Sequence, residues 1–177
     1  MKKITIVLAL LVCFFSSGCG KSQEHNTEMY IDPLGEFSLV CPDGLMMDTE
    51  NADGFIYFYK DEKAIPYLMF CAYESEVSFN DFLAEFNSSM SRNYGYAGCR
   101  RTDKYNNNVG GKKVTVLKYT YTLEEQNILD VRYVLNADDK VYVFTEKTVP
   151  SLDQNLSNEL DFLIRNFSTD TNDAILE

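Results

Sequence analysis

The sequence predicts an α+β domain: an antiparallel β-sheet of about six to seven strands with two principal helices packed on it. Three observations point there. Residues 112–149 hold three runs that alternate with a period of two and are joined by short polar connectors, as antiparallel hairpins require. Phe79, Phe82, Leu83, Phe86, Met90 and Tyr94 recur every three or four residues, which gathers them on one face of a helix. Leu152, Leu156, Leu160, Leu163, Ile164 and Phe167 repeat that signature near the C-terminus. Strand runs combined with one-faced helices define the α+β class.

The chain opens with Lys2 and Lys3, followed by an apolar run over residues 4–15. A bilayer-spanning helix needs roughly 20 apolar residues. The shorter run is therefore expected to be the core of a signal peptide covering residues 1–18. It closes on Ser16-Ser17-Gly18-Cys19, small residues followed by a cysteine. This resembles the lipobox of bacterial lipoproteins, with Ser16 standing where an aliphatic residue is usual. The resemblance implies cleavage before Cys19 and lipid attached to that cysteine; the alternative is an ordinary secretory signal with Cys19 left as a thiol. Two or three acyl chains, which the resemblance implies, hold a protein stably, whereas one chain at about 0.8 kcal/mol per methylene does not. Residues 19–33 are expected to be a flexible tether, because the stretch after Cys19 is polar, small and aperiodic. Gly20 is not the Asp of an inner-membrane retention signal, so in a two-membrane cell the outer membrane is expected.

A single domain is expected over residues 34–168, with a polar, frayed tail at 169–177. Residues 36–42 (Glu-Phe-Ser-Leu-Val-Cys-Pro) form a short strand closed by the turn Pro42-Asp43-Gly44. Residues 54–60 and 65–73, rich in aromatics, form a hairpin across Asp61-Glu62-Lys63. Ser78 and Asp81 cap the first helix, whose aromatic stripe is expected to pack on the sheet and not to line a ligand groove. A weaker strand at 98–105 leads to the turn-prone Asn106-Asn107-Asn108 and Gly110-Gly111. In residues 112–123, Thr115, Leu117, Tyr119 and Tyr121 alternate with Val114, Val116, Lys118 and Thr120; in 128–136, Leu129, Val131, Tyr133 and Leu135 alternate with Asp130, Arg132 and Val134. Residues 140–149 continue the pattern, with connectors at 124–127 and 137–139. Pro150 stops the last strand, and Ser151 with Gln154 reads as the capping box of the second helix.

The charge is acidic. The chain carries 27 Asp and Glu against 16 Lys and Arg, a formal net charge of −11. Loss of Lys2 and Lys3 with the signal leaves 27 against 14, or −13. Nucleic acid and anionic headgroups are repelled by such a surface, and Arg100-Arg101 and Lys112-Lys113 are isolated basic pairs, so no nucleic-acid partner is expected. Three cysteines lie in the domain, Cys41, Cys71 and Cys99, and an odd count leaves at least one thiol outside any intramolecular pair. Cys41 and Cys71 sit in apolar runs and are expected to be small buried hydrophobes.

The strand ending Phe37-Ser38-Leu39-Val40-Cys41-Pro42-Asp43-Gly44 resembles the opening of PsbP-like domains. So does the order of the other elements: a helix after the third strand, a meander entered through Gly110-Gly111-Lys112, and a last helix ending Leu163-Ile164-Arg165-Asn166-Phe167-Ser168. The resemblance covers residues 36–168. It departs at Leu45, where an aromatic is usual, and in lacking the histidines that photosystem relatives use for metal. It implies a sheet with helices on its faces and a protein that binds or helps assemble partners without chemistry.

His25 is the chain's one histidine and lies in the tether, which removes histidine-based triads and zinc sites from the domain. Asp48 to Gly54 has calcium-loop spacing, but Ala52 and Tyr59 occupy ligand positions. Glu124-Glu125 and Asp138-Asp139 fall at opposite ends of the meander and cannot build one site. No cofactor, metal or catalytic residue is expected. The expected function is a lipid-anchored, non-catalytic envelope protein, extracytoplasmic, that contacts the membrane through lipid on Cys19 and binds or helps assemble another envelope protein. The alternative is a small-molecule or peptide-binding lipoprotein, with Phe55, Tyr57, Tyr59, Tyr67 and Tyr73 as one wall of the pocket. An enzyme with an unrecognised cleft is the third.

Overall fold

The three alternating runs of residues 112–149 fold as the centre of a seven-stranded antiparallel sheet. The computed structural model describes residues 28–50, 53–60, 68–92, 97–148 and 157–171. In chain order these form β1 (Met29–Ile31), β2 (Ser38–Val40), β3 (Met46–Asp48), β4 (Ile56–Tyr59), β5 (Leu68–Glu74), α1 (Phe79–Arg92), β6 (Ala97–Val109), β7 (Lys112–Leu123), β8 (Gln126–Ala137), β9 (Lys140–Thr148) and α2 (Asn158–Asn166). The large sheet runs β3-β4-β5-β9-β8-β7-β6, and β1 and β2 pair as a separate two-stranded ribbon.

The sheet is covered on both faces, so the period-two pattern sorts residues between two apolar layers. Val114, Val116, Leu135, Phe144 and Phe70 face the ribbon and α2, meeting Phe37, Leu39, Leu160, Leu163, Ile164 and Phe167. Leu117, Tyr119, Tyr121, Val134, Val143 and Cys71 face α1, meeting Leu83, Phe86 and Met90. The first layer is dense in rings. Phe37 lies 5.0 Å from Phe70, and Phe167 lies 4.7 Å from Tyr142. Such pairs each add roughly 0.5–1.5 kcal/mol beyond the area they bury.

The helix ends follow from local chemistry. Ser78 Oγ accepts from the Asp81 amide at 3.3 Å and donates to the Asp81 carboxylate at 2.6 Å, as the capping pair predicts. Ser157 is extended and its Oγ accepts from the Leu160 amide, so α2 begins at Asn158. The expected box at Ser151 and Gln154, with Leu152 and Leu156, lies outside the described residues, as does Tyr94. Lys112 Nζ donates to the Arg165 carbonyl at 2.9 Å and answers the C-terminal end of α2. Beside it, Gly110 is left-handed (φ 58°), and a Cβ there would meet Arg165 Cγ at 2.7 Å.

Three expectations are corrected. Residues 29–31, placed in the tether by their position, form β1, with Met29 opposite Val40 and Ile31 opposite Ser38. The strand expected at 36–42 pairs with it as the ribbon, and the strand expected at 98–105 runs on through the turn-prone Asn106-Asn107-Asn108 to Val109, leaving the turn to Gly110-Gly111. The tail is docked at its start: Thr171 is buried and its Oγ1 donates to the Gly35 carbonyl at 2.8 Å, while Ser38 and Ser168 exchange backbone hydrogen bonds. The expected signal peptide, Cys19 and residues 20–27 lie outside the described residues, as do residues 172–177.

Candidate functional site

A concave site opens where the ribbon meets the edge half of the sheet, with a volume of about 310 Å³. Its floor is apolar: Phe37, Ile56, Phe70 and Ala72. Tyr30, Phe55 and Tyr73 add aromatic walls, and Asp32, Glu36, Glu74 and Lys140 supply charge at the rim. Each charge is placed by a backbone feature. Asp32 accepts from the Leu34 amide at 2.9 Å and the Glu36 amide at 3.4 Å, folding the β1–β2 loop, with Gly35 left-handed at φ 71°. That loop delivers Glu36. Glu74 ends β5 directly opposite Lys140, which starts β9. Lys140 Nζ bonds Glu36 and, at 3.3 Å, Glu74.

The hydrogen bond to Glu36, reinforced by that to Glu74, raises the Lys140 pKa above the ordinary lysine value despite partial desolvation. The pocket thus presents a fixed ammonium, not a free amine. Burial, then the Asp32 charge, holds the Tyr30 phenol above its usual range, so it faces the pocket as a neutral hydroxyl.

Of the five aromatics expected to form a ligand wall, Phe55 and Tyr73 line this pocket. Tyr57 and Tyr59 do not. They continue from Phe55 as a ring ladder along β4, with centroids 5.9 Å and 6.3 Å apart. Tyr57 donates to Asp53 Oδ2 at 2.6 Å, and this bond, with one from the Phe55 amide, holds the Asp53 carboxyl below its usual range. Tyr67 lies outside the described residues. The rim charges were missed because the Glu74–Lys140 pairing exists only once the register of β5 and β9 is known.

A second polar centre is sealed beneath α1. Asp130 is fully buried and receives Arg132 Nε at 2.7 Å, Arg132 Nη2 at 2.9 Å and the Tyr121 hydroxyl at 3.2 Å. The Arg132 guanidinium sits 5.0 Å from the centre of the Phe86 ring. Tyr119 OH is buried here with no hydrogen-bond partner among the described residues. Nearby, burial pushes the Cys71 thiol up to about 11 and raises Cys99. Cys41, also raised to about 11 by burial, packs in the other layer, its thiol donating to the Leu45 carbonyl. All three thiols are outside any disulfide and protonated at neutral pH, and Cys41 and Cys71 are buried as structural cysteines are. No group of three or more His, Cys, Asp or Glu among the described residues is arranged to hold a metal ion.

The sequence matches no family model and no curated protein. Solved structures do match. The solution structure of the cyanobacterial PsbP protein (CyanoP) of Synechocystis aligns over 86% of this chain and 98% of its own, at 16% identity and a TM-score of 0.56. The fold is PsbP-like. A Bacteroides thetaiotaomicron protein shares it at 15% identity and a TM-score of 0.55, over 80% of this chain but 48% of that one. LpqN of Mycobacterium tuberculosis, described as involved in cell envelope biogenesis, aligns at 13% identity over 82% of this chain and 86% of its own, with a TM-score of 0.47. In this PsbP-like fold the rim pocket lies between ribbon and sheet edge, and the Asp130–Arg132 centre lies between sheet and α1.

Proposed function

We propose that the chain is a lipid-anchored, non-catalytic protein of the cell envelope, and that its domain captures a cationic group of another envelope protein in the rim pocket. The charge balance of that rim carries the proposal. Three carboxylates, Asp32, Glu36 and Glu74, face one ammonium, Lys140, which leaves two negative charges above an aromatic floor. A basic side chain entering there meets carboxylates at the rim and the ring faces of Tyr30, Phe55 and Tyr73. The chain's net charge of −11 steers a basic partner toward it. For the anchor, the support is the Ser16-Ser17-Gly18-Cys19 box after a short apolar run. Among the described residues no helix is long and apolar enough to cross a membrane.

The full-length protein, isolated from detergent-solubilised envelope, is expected to bring a stoichiometric partner that Glu74→Lys releases and that added salt weakens. Recovery of no partner, or retention by Glu74→Lys, would count against the proposal. Cys19→Ala is expected to free the protein from membranes with its fold intact; a variant that stays membrane-bound removes the anchor. The pocket's volume, about 310 Å³, also favours a second occupant, a free cationic small molecule or peptide. Saturable binding of a low-molecular-weight amine without any protein partner would select it.

A further inference from the structure

On the opposite face of the sheet from the floor of the rim pocket, the face that carries α1 continues past the helix start as an open groove of about 580 Å³. We infer that this groove binds a neutral oligosaccharide bearing hydroxyl and acetamido groups. The register lays its side chains out as a grid. Asn106 lies opposite Thr115, which lies opposite Val134, and Asn108 lies opposite Lys113. Asn136 follows two residues after Val134 on the same face, and Phe79, half-buried at the start of α1, walls one side. Neighbouring strands stand about 4.8 Å apart and same-face residues about 6.8 Å apart along a strand, so the groups form a regular array.

The chemistry of the array selects the ligand. A carboxamide donates and accepts at one end of one side chain, as a sugar hydroxyl does, and an acetamido carbonyl needs a donor of this kind. Asn106 Oδ1 accepts from Thr115 Oγ1 at 3.2 Å and Asn108 Oδ1 accepts from the Gly111 amide at 2.9 Å, which leaves the NH2 groups of both without a protein partner among the described residues. Asn136 is exposed and makes no side-chain hydrogen bond to them. Phe79, half-buried, offers the apolar surface on which the C–H face of a sugar ring packs. Charge decides against other polymers. In a chain of net charge −11 the groove is lined by one cation, Lys113, and by no carboxylate among the described residues, too little to hold a polyanion and nothing to hold a cation. Strand formation does not account for these residues, because asparagine is depleted in strands. Asn108 serves the β6–β7 turn; Asn106 and Asn136 have no such role.

The test uses the full chain and a β-1,4-linked N-acetylglucosamine tetramer as probe, with affinity from calorimetry and contact from saturation-transfer NMR. Wild type is expected to bind saturably, and Asn106→Ala/Asn136→Ala to weaken binding by about tenfold or more through the lost hydrogen bonds. Glu74→Lys, in the other pocket, is expected to leave it unchanged. Asn136→Ala alone, at an exposed position, serves if the double variant does not fold, and is expected to weaken binding several-fold. No saturable binding by wild type, or undiminished binding by a folded asparagine variant, overturns the inference. Equal binding of a neutral glycine-serine peptide would also overturn it, since that outcome marks recognition of an extended chain in place of a sugar.

Discussion

Asp130 is a carboxylate with no exposure to water, and its charge is answered by two hydrogen bonds from Arg132 and one from the Tyr121 hydroxyl. Removing Asp130 takes the bidentate carboxylate away from a buried guanidinium, which costs about 3–5 kcal/mol. Asp130→Ala is therefore expected to lower the unfolding free energy obtained from urea titration by that amount. Replacing both, Asp130→Leu with Arg132→Met, is expected to cost much less, because an apolar pair of similar volume has no charge to strand. A single variant within about 1 kcal/mol of wild type would show that water reaches the pair after all. The alternation of β8 made Asp130 and Arg132 legible as one face of a strand, and the polar face of such a strand is ordinarily the wet one. Here α1 covers it, and Phe86 lies against the guanidinium. Period two separates the two faces but does not say which of them is dry. The same limit hid the rim of the candidate site: Phe55 and Tyr73 were legible as aromatics near a hairpin, whereas Glu36, Glu74 and Lys140 converge from three elements.

At the scale of elements, the meander is closed by three two-residue turns of one conformation and unequal chemistry. Gly110 and Gly111 have φ of 58° and 85°, Glu124 and Glu125 of 49° and 67°, and Asp138 and Asp139 of 52° and 59°. Positive φ at both central residues is the turn that matches the twist of paired strands, and it favours Asn-Gly. Glutamate in that region carries backbone strain on the order of 1 kcal/mol or more. Glu124→Asn with Glu125→Gly is expected to raise stability by about 1 kcal/mol in urea titration while leaving the circular dichroism spectrum unchanged. A loss of stability would mean that these two acids make compensating contacts in the turn. Strands β7, β8 and β9 were legible because both of their faces meet packed layers or a regular alternation. β6 was legible only in part, as the weaker strand at 98–105: 13 residues long, it is exposed along nearly its whole length and shifts register twice between Ala97 and Asp103, so no burial period marks its extent. β1 and β3 are three residues each, too short for any period, and owe their form to their partners Ser38–Val40 and Ile56–Tyr59.

The molecule as a whole is three layers in which phenols and thiols are buried among aliphatic side chains on both sides of the sheet, and this gives it an asymmetric response to pH. Cys41 and Cys71 are pushed up to about 11 by burial, and Cys99 is raised for the same reason. Burial likewise raises Tyr30, Tyr57, Tyr73, Tyr119 and Tyr142. A group whose pKa is higher folded than unfolded contributes stability that is complete below the unfolded value and is lost as pH rises toward the folded one. Unfolded cysteine titrates near pH 8.5 and tyrosine near 10, so the losses begin at about pH 9 and accumulate above 10. Cys71 alone contributes a slope of about 1.4 kcal/mol per pH unit across its own interval. Lys140 acts in the same direction in the same range, and Lys112, lowered by burial, opposes them as a single group. On the acid side Asp53, at the surface, is held below the usual carboxylate range by its hydrogen bonds. Denaturant midpoints are thus expected to hold level from pH 6 to 8 and to fall steeply from about pH 9 to 11. Cys71→Ala, which destabilises the fold at pH 7 by opening a small cavity, is expected to flatten the early part of that fall. A wild-type midpoint unchanged between pH 8 and 11 would mean that water reaches these thiols and phenols in the folded state, and that the two packed layers are not closed.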